Sequence, residues 1–358
     1  MLSEELAKLH DVEIVLIGNR EDKEGLPEKY REPYSGIDVI KCFNSGRPGF
    51  SEFVKCVEEL KPDIVHIQHE HDPFPSMVEF LEAVKRLKEL GVRVVVTLHT
   101  VTHALAGYEY VEFHRALAKL VDAIIVHSAL QENELIAQGV PSEKIHVVPH
   151  GTALNPYKDV VSKRFVLEKL GLDPELANYV IISTPGFVRK DKGLDVLLKM
   201  FSIVKNKIDA KLVLFGEPQG DGYQLIGELE RVRSNDVVFI RSFLPRHEMM
   251  LFLAGIDVAV FPYRDKHNIG VSGALHLAIG SRVKCVCTHA SRLVECYTYA
   301  PTASTPRLDP EELAKRVVMA VEGVVDDEYK LLFDYGYRTR WQRIAEMHRK
   351  LYVEIIEK

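Results

Sequence analysis

Histidine recurs in this chain where runs of β-branched residues stop. After 64–67 come Gln68, His69, Glu70 and His71, and after 92–98 come His99 and then His103. After 123–126 come His127 and Ser128, and after 145–148 come Pro149, His150 and Gly151. An imidazole donates or accepts hydrogen bonds and titrates near neutral pH. Histidines at successive strand ends therefore suit recognition of a polar substrate and movement of a proton. His99 closes the strongest apolar run and is the first catalytic candidate, with His69 and Glu70 next. His66 alternates inside its run and reads as a satisfied interior histidine. For the others, the plainer reading is a polar cap on a strand. A metal centre built from His69, His71, His99 and His103 is the weaker alternative, because His-x-His followed far along by His-x-x-x-His is not a standard zinc spacing.

A second chemistry is legible further on. The strand pattern at 179–183 runs into Pro185, Gly186 and Phe187; Arg189, Lys190 and Lys192 then crowd a turn, and Gly193 opens a helical pattern. Free N–H groups and the dipole at a helix start favour anions, and lysine adds a point charge, so this turn suits a diphosphate. A solvated basic turn is the plainer alternative. From Phe261 the chain reads FPYRDKHNIGVSGALHLAIG. Asn268, Gly270, Val271, Ser272 and Gly273 read as a second glycine-rich helix start, suited to phosphate oxygens or sugar hydroxyls. No Asp-x-Asp pair follows a strand in this half to hold a divalent ion.

The elements that must position these residues alternate between two periods. Apolar runs at 12–17, 38–40, 64–67, 92–98, 123–126 and 145–148 are separated by helical spacing, as at 53–60 and 77–90. The runs are continuous, as in strands covered on both faces by helices. Strand–helix repetition of this kind implies parallel sheets with right-handed crossovers. The alternation restarts after Gly151, with strands expected at 179–183, 211–215, 237–240, 258–261 and 283–287. Helices are expected at 194–204, 223–232, 246–254, 273–279 and 310–321. The segment 150–163 reads as a linker, and one amphipathic helix is expected from Arg338, carrying Trp341, Ile344, Met347, Leu351 and Ile355. The expected architecture is α/β: two Rossmann-like, doubly wound parallel sheets facing a cleft. Residues 1–155 form the first domain, 156–335 the second, and 336–358 a helix crossing back to the first. Ligands in such folds bind beyond the carboxyl ends of the strands.

Composition bounds the function. The 358 residues suit roughly two domains of ~150 residues. At 46% hydrophobic and 27% charged the chain reads as globular, not disordered. A net charge of −6 argues against a general nucleic-acid binder. Five cysteines, an odd number, point to a reducing compartment and a cytoplasmic protein. No run approaches 18 apolar residues, so no transmembrane segment is expected, and MLSEELAKLH is no secretory signal. The face Lys85, Arg86, Lys88 reads first as solvated surface and second as a peripheral membrane contact.

In order along the chain, PDIVHIQHE, VVVTLHT, DAIIVHSALQENELIAQGVPSEKIHVVPHG, GFVRKDKGLDVLLKMF, LVLFGEP, DVAVFPYR and GALHLAIG resemble glycosyltransferase family 4, from residue 1 to Tyr352. The resemblance implies the two-domain GT-B fold and retaining transfer of a hexose from a nucleotide-diphosphate sugar, with no metal or other cofactor. It implies the donor on the second half and the acceptor, a glycan, lipid-linked or small molecule, on the first. His99 matches the histidine that contacts the donor sugar, and Lys192 the lysine that neutralises the leaving diphosphate. Gly186, Arg189 and the stretch His267, Gly270, Val271, Ser272, Gly273 fall in the donor-binding motifs. Gly216 and Ser242, Phe243, Leu244 match the places where the nucleoside packs.

The chain also departs from that family. Phe187 stands where an arginine commonly follows the glycine, with Arg189 as the substitute. Aligning on Gly270 and Gly280 puts His267 and Leu275 where the family has two glutamates, and leucine accepts no ribose hydrogen bond. The usual proline of the next strand is replaced by Arg282 or Val283. A second reading is therefore a non-catalytic sugar-nucleotide or glycan-binding protein on the same scaffold, which would not hydrolyse a donor. The family's first domain also opens with a central strand and a glycine-rich loop before the helix read at 3–10. The expectation is a sheet with a gap there. A form extended upstream by about 15–40 residues should then be more stable and more active.

Overall fold

The structure is a computed structural model describing residues 1–20, 27–44, 50–71, 74, 76–264 and 267–358. The chain divides into two compact units. The first comprises Met1–Gly151, His267–Val271 and Trp341–Lys358; the second comprises Thr152–Lys266 and Ser272–Arg340.

In the first unit, Ile64–His69, Arg93–Leu98, Ala123–Val126 and Ile145–Val147 form a parallel sheet in that order. Arg93–Leu98 shows why the run is continuous. Val94, Val96 and Leu98 pack with Phe80, Val84 and Leu87 of the Met77–Glu89 helix and with Phe113 and Leu117 of the Tyr108–Leu120 helix. Val95, on the opposite face, packs with Ile125, Val148, Ile344, Leu351 and Ile355. The last three belong to the terminal helix Trp341–Ile356, which thus covers the second face of this sheet. Arg349 on that helix pairs with Asp11 at 2.8 and 2.9 Å.

The remaining strands of this unit depart from a single doubly wound sheet. Asp38–Phe43 lies between Val15–Asn19, parallel to it, and Lys29–Arg31, antiparallel, in a separate sheet. Among the described residues, Val15–Asn19 is paired only by Asp38–Phe43, and Ile64–His69 only by Arg93–Leu98. The strand expected at 12–17 begins at Val15, because the chain is still turning before it: the Val12 N–H bonds the Leu9 carbonyl. The helix expected from 338 begins at Trp341, because a separate helix before it still includes Arg338. Asp326–Arg338 ends at Thr339, whose hydroxyl bonds back to the Tyr335 carbonyl, and Trp341–Ile356 follows. The expected helix start at 268–273 is also divided. Asn268–Gly270 is a strand antiparallel to Thr100–Thr102, while Ser272 caps the helix Gly273–Gly280.

The second unit is one parallel sheet. Its order is Val237–Ile240, Ala210–Phe215, Val180–Ser183, Val258–Phe261, Lys284–Thr288 and Ser304–Thr305. Helices Leu194–Val204 and Pro310–Val321 pack through Leu197, Met200, Leu313 and Val317. The stretch read as a linker is built into this unit. Asn155 donates to the Met250 carbonyl at 2.6 Å and to Ser281 Oγ at 2.8 Å, and Ser162 caps the helix Lys163–Lys169.

The His69 ring lies inside the first unit's core. The strand holding His69 runs two residues past its expected end, and period-two alternation then turns His69 inward, fully buried. Its ring stacks on Phe74 at 5.4 Å and touches Phe80 at 4.6 Å and Phe113 at 5.4 Å. Among the described residues neither ring nitrogen has a hydrogen-bond partner, and burial pushes its pKa down to about 3.

Two stability predictions follow from this packing. Ile344, 1% exposed, plugs the sheet's second face, so Ile344→Ala should cost about 2–5 kcal/mol in urea unfolding. His69 stays neutral in the folded protein and takes a proton near pH 6.5 when unfolded. Stability is therefore whole above that pH and drains as pH falls toward 3. His69→Leu should remove about 2 kcal/mol of the stability lost between pH 7.5 and pH 5, read by calorimetry at both values. An unchanged pH slope would show that His69 does not carry it.

Candidate functional site

The sheet pairing of the first unit continues one step past Arg93–Leu98, where the His99 N–H donates to the His69 carbonyl at 3.1 Å. This leaves the His99 ring just beyond the strand end, half-buried. Its Nε2 lies 2.9 Å from the Gln68 side chain and its Nδ1 3.2 Å from His127 Nε2. His127 Nδ1 in turn lies 2.9 Å from the Val148 carbonyl. Burial lowers the His99 pKa, against a smaller opposing pull from the Glu70 carboxylate. Glu70 accepts from the Thr100 hydroxyl at 2.8 Å and from the His71 N–H at 3.0 Å.

Gln131 holds these strand ends together and was not among the residues singled out from sequence. It is fully buried, and its side-chain oxygen accepts the His127 N–H at 2.9 Å. Its amide donates to the carbonyls of Leu98 at 3.1 Å, His99 at 3.3 Å and Ile269 at 3.3 Å. The signal was available. Ser128 and Gln131 have capping-box spacing, and Ser128 caps the helix Ala129–Ala137. The glutamine reaches one residue further back than a standard box, and its side chain ties together the ends of three strands.

The structure separates the other histidines. His69 lies in the aromatic core, so its ring does not reach the surface that His99 lines. The reading of it as a fallback catalytic group is corrected on that ground. His66 is satisfied by the Tyr352 hydroxyl at 2.6 Å and Thr97 Oγ1 at 2.7 Å, and burial holds it well below the usual imidazole range. His71 meets Thr102 Oγ1 at 3.1 Å, and His103 meets Glu134 at 3.4 Å. Among the described residues, no group of three or more histidines, cysteines or carboxylates is placed to hold a metal.

His267, Gly270 and Val271 belong to the first unit. The His267 carbonyl accepts the His103 N–H at 2.6 Å, and Gly270 pairs with Thr100. The backbone of His267 and Gly270 is thus engaged by the 100–103 segment and does not form a helix start, which corrects the expected anion-binding role of that backbone.

The second unit gathers the phosphate candidates. Lys192, half-buried, places its ammonium 3.7 Å from the centre of the Tyr263 ring. The Tyr263 hydroxyl is 3.4 Å from Ser272 Oγ, which accepts from the Leu275 N–H at 3.3 Å. Gly193, at φ +64°, lies where a Cβ would collide with the Pro262 carbonyl, so the backbone can turn tightly into the Leu194–Val204 helix only with glycine there. Gly186, at φ +115°, and Gly273 flank this region. Arg189 does not point a free fork: it grips the Asp191 carboxylate at 2.9 and 2.7 Å. Phe187, exposed, stacks on the exposed Phe243 at 5.9 Å. Gly216 and Ser242 lie at the adjoining strand ends, both donating to the Ile240 carbonyl, and Leu244 is buried. Leu275 is fully buried in the core. Its neighbour His276 bonds Thr152 Oγ1 at 2.9 Å and lies 3.4 Å from Glu295.

Residues 1–155 match the family described as Glycosyltransferase Family 4, and residues 178–322 match Glycosyl transferases group 1. The uncharacterized glycosyltransferase YqgM of Bacillus subtilis (strain 168) is 29% identical over 150 residues, a match spanning 41% of this chain and 37% of that protein. Anabaena HepE, solved with UDP and glucose, superposes with a TM-score of 0.70 at 15% identity, covering 88% of this chain and 86% of that one. The UDP-forming α,α-trehalose-phosphate synthase of Burkholderia xenovorans, solved with glucose-6-phosphate, gives 0.69 at 13% identity, covering 96% and 94%. The chain thus has the GT-B fold, with residues 1–155 matching Glycosyltransferase Family 4 and residues 178–322 matching Glycosyl transferases group 1.

Proposed function

We propose that the protein transfers a hexose, with retention, from a UDP-hexose to the hydroxyl of an acceptor, without a metal, in the cytoplasm. In this reading residues 156–335 hold the donor, 1–155 the acceptor, and 336–358 support the first domain. The observation that carries it is the cluster Lys192, Tyr263 and Ser272 beside two helix starts. HepE, solved with UDP, and the UDP-forming trehalose-phosphate synthase support the choice of base.

The chemistry is an exchange at the sugar's anomeric carbon. The acceptor oxygen bonds to that carbon, the bond from carbon to diphosphate breaks, and the acceptor proton leaves with the diphosphate. Negative charge grows on the departing phosphate, so a fixed ammonium at Lys192 and free N–H groups at helix starts stabilise the transition state more than the ground state. The exposed Phe187–Phe243 pair offers aromatic faces for the base beside Gly216 and Ser242. His99 is assigned to a hydroxyl of the donor sugar. The buried Leu275 leaves the ribose without the family's carboxylate, and this favours the second reading, a sugar-nucleotide-binding protein without turnover.

Calorimetry with UDP tests the assignment. Lys192→Ala should weaken binding about 10- to 150-fold, the loss of one charge-assisted contact, while its stability moves by no more than ~0.5 kcal/mol. Equal affinity would remove Lys192 from the site. His99→Ala should keep UDP affinity and slow release of UDP from UDP-glucose about a hundredfold. Unchanged release would place the sugar contact elsewhere.

A further inference from the structure

The turn that carries Lys192 holds two acids of its own, Asp191 and Asp195. Either carboxylate, paired with the Lys192 ammonium, would close it to an anionic ligand. Neither is so paired. Arg189 grips Asp191 at 2.9 and 2.7 Å, and Arg264 Nη2 lies 2.7 Å from both carboxylate oxygens of Asp195. Among the described residues no carboxylate pairs with Lys192, whose ammonium rests on the face of Tyr263.

This arrangement comes from two segments of the second unit packed against each other. The Arg264 N–H donates to the Asp191 carbonyl at 2.9 Å, and Gly193 closes on the Pro262 carbonyl. Lys192 meets the Tyr263 ring, and Asp195 meets the Arg264 guanidinium. The Thr288 hydroxyl fixes the second segment by donating to the Tyr263 carbonyl at 2.7 Å. Lys192 and Asp195 are thus held by adjacent residues. Asp195 also lies in the first turn of the Leu194–Val204 helix. Left unpaired, its charge would lower the positive potential that this helix start offers an anion.

Folding stability gives little reason for the Arg264–Asp195 pair. Its side chains are 35% and 45% exposed, and ion pairs so exposed add little to folding. The acid is nonetheless ionised at neutral pH. Burial works to raise its pKa, but the Arg264 hydrogen bonds and charge outweigh that and hold it below the usual carboxylate range. A carboxylate three residues along from Lys192 therefore needs a counter-charge if the ammonium is to be left for a ligand.

We infer that Arg264 is a positioning residue: by neutralising Asp195 it keeps that carboxylate from Lys192, so that the ammonium stays open to the leaving diphosphate. This rests on the reading of Lys192 as the diphosphate contact. Arg264 acts through Asp195 and does not hold the phosphate itself. Its loss is therefore harmful only while Asp195 is present, which separates it from a direct phosphate ligand.

The test is calorimetric UDP binding by the full chain and its variants. Arg264→Gln releases Asp195 and should weaken UDP binding about tenfold at low salt. The loss should shrink to about twofold in about 1 M salt, where charges are screened within about 3 Å. A merely structural defect would not respond to salt in this way. Arg264→Lys keeps a counter-charge beside Asp195 and should stay within about threefold of wild type. Arg264→Gln combined with Asp195→Asn should return to within about twofold of wild type. Unchanged affinity in Arg264→Gln overturns the inference. So does a double variant as weak as Arg264→Gln, since Arg264 would then hold the diphosphate itself. Should Arg264→Gln not fold, Asp195→Asn decides: binding at least as tight as wild type supports the inference, and weaker binding contradicts it. Weakened binding in Lys192→Ala together with unchanged binding in Arg264→Gln overturns this inference alone. Unchanged binding in Lys192→Ala overturns instead the reading of Lys192 on which it rests.

Discussion

A parallel strand covered on both faces has room for polar side chains only beyond its last residue, and much of the first unit's chemistry follows from that constraint. Val94, Val95 and Val96 commit opposite faces of the central strand to two apolar clusters. The first residue free to be polar and partly exposed is His99. Its neighbours at the same level, Gln68 and His127, come from the ends of flanking strands. The backbone ladder that fixes the strands in register therefore also fixes the rings against one another. Polar side chains that fall inside the strands test the rule. His66 is accommodated because Tyr352 on the terminal helix and Thr97 on the next strand both reach it. His69 is not, and among the described residues its two nitrogens have no hydrogen-bond partner, the ring lying against phenylalanines.

The second unit solves a different problem, that of bringing positive charge and backbone N–H groups together without burying a bare cation. Lys192 lies over the face of Tyr263, which lowers the cost of partial desolvation while leaving the ammonium able to meet an anion. Glycine at 193 lets the turn pass against the Pro262 carbonyl. Arg189 and Arg264 grip Asp191 and Asp195 instead, so these arginines brace the turn.

Much of this was legible in the sequence, and the exceptions have physical reasons. Continuous β-branched runs marked the strands of the two larger sheets apart from Ser304–Thr305, and helices such as Leu194–Val204 and Pro310–Val321 followed from apolar spacing. What pattern alone missed is pairing between distant segments. Asn268–Gly270 has the composition of a loop and becomes a strand only because Thr100–Thr102 lies beside it. Gln131 looks like an ordinary helix residue until its side chain is seen reaching three carbonyls. The break at Thr339 depends on one hydroxyl bonding back to the Tyr335 carbonyl, which periodicity does not register. Strand-end position and the resemblance singled out His99, and the basic turn and the resemblance Lys192, while the inward turn of His69 depends on how far its strand extends.

The central claim is that this scaffold breaks a nucleotide-sugar bond with retention. The most direct measurement is proton NMR of UDP-α-glucose incubated with the protein, following UDP release and the anomeric proton of the first glucose formed. The account predicts slow release of UDP with α-glucose appearing before mutarotation. First appearance of β-glucose, or an intact donor in the presence of demonstrated UDP binding, would contradict it.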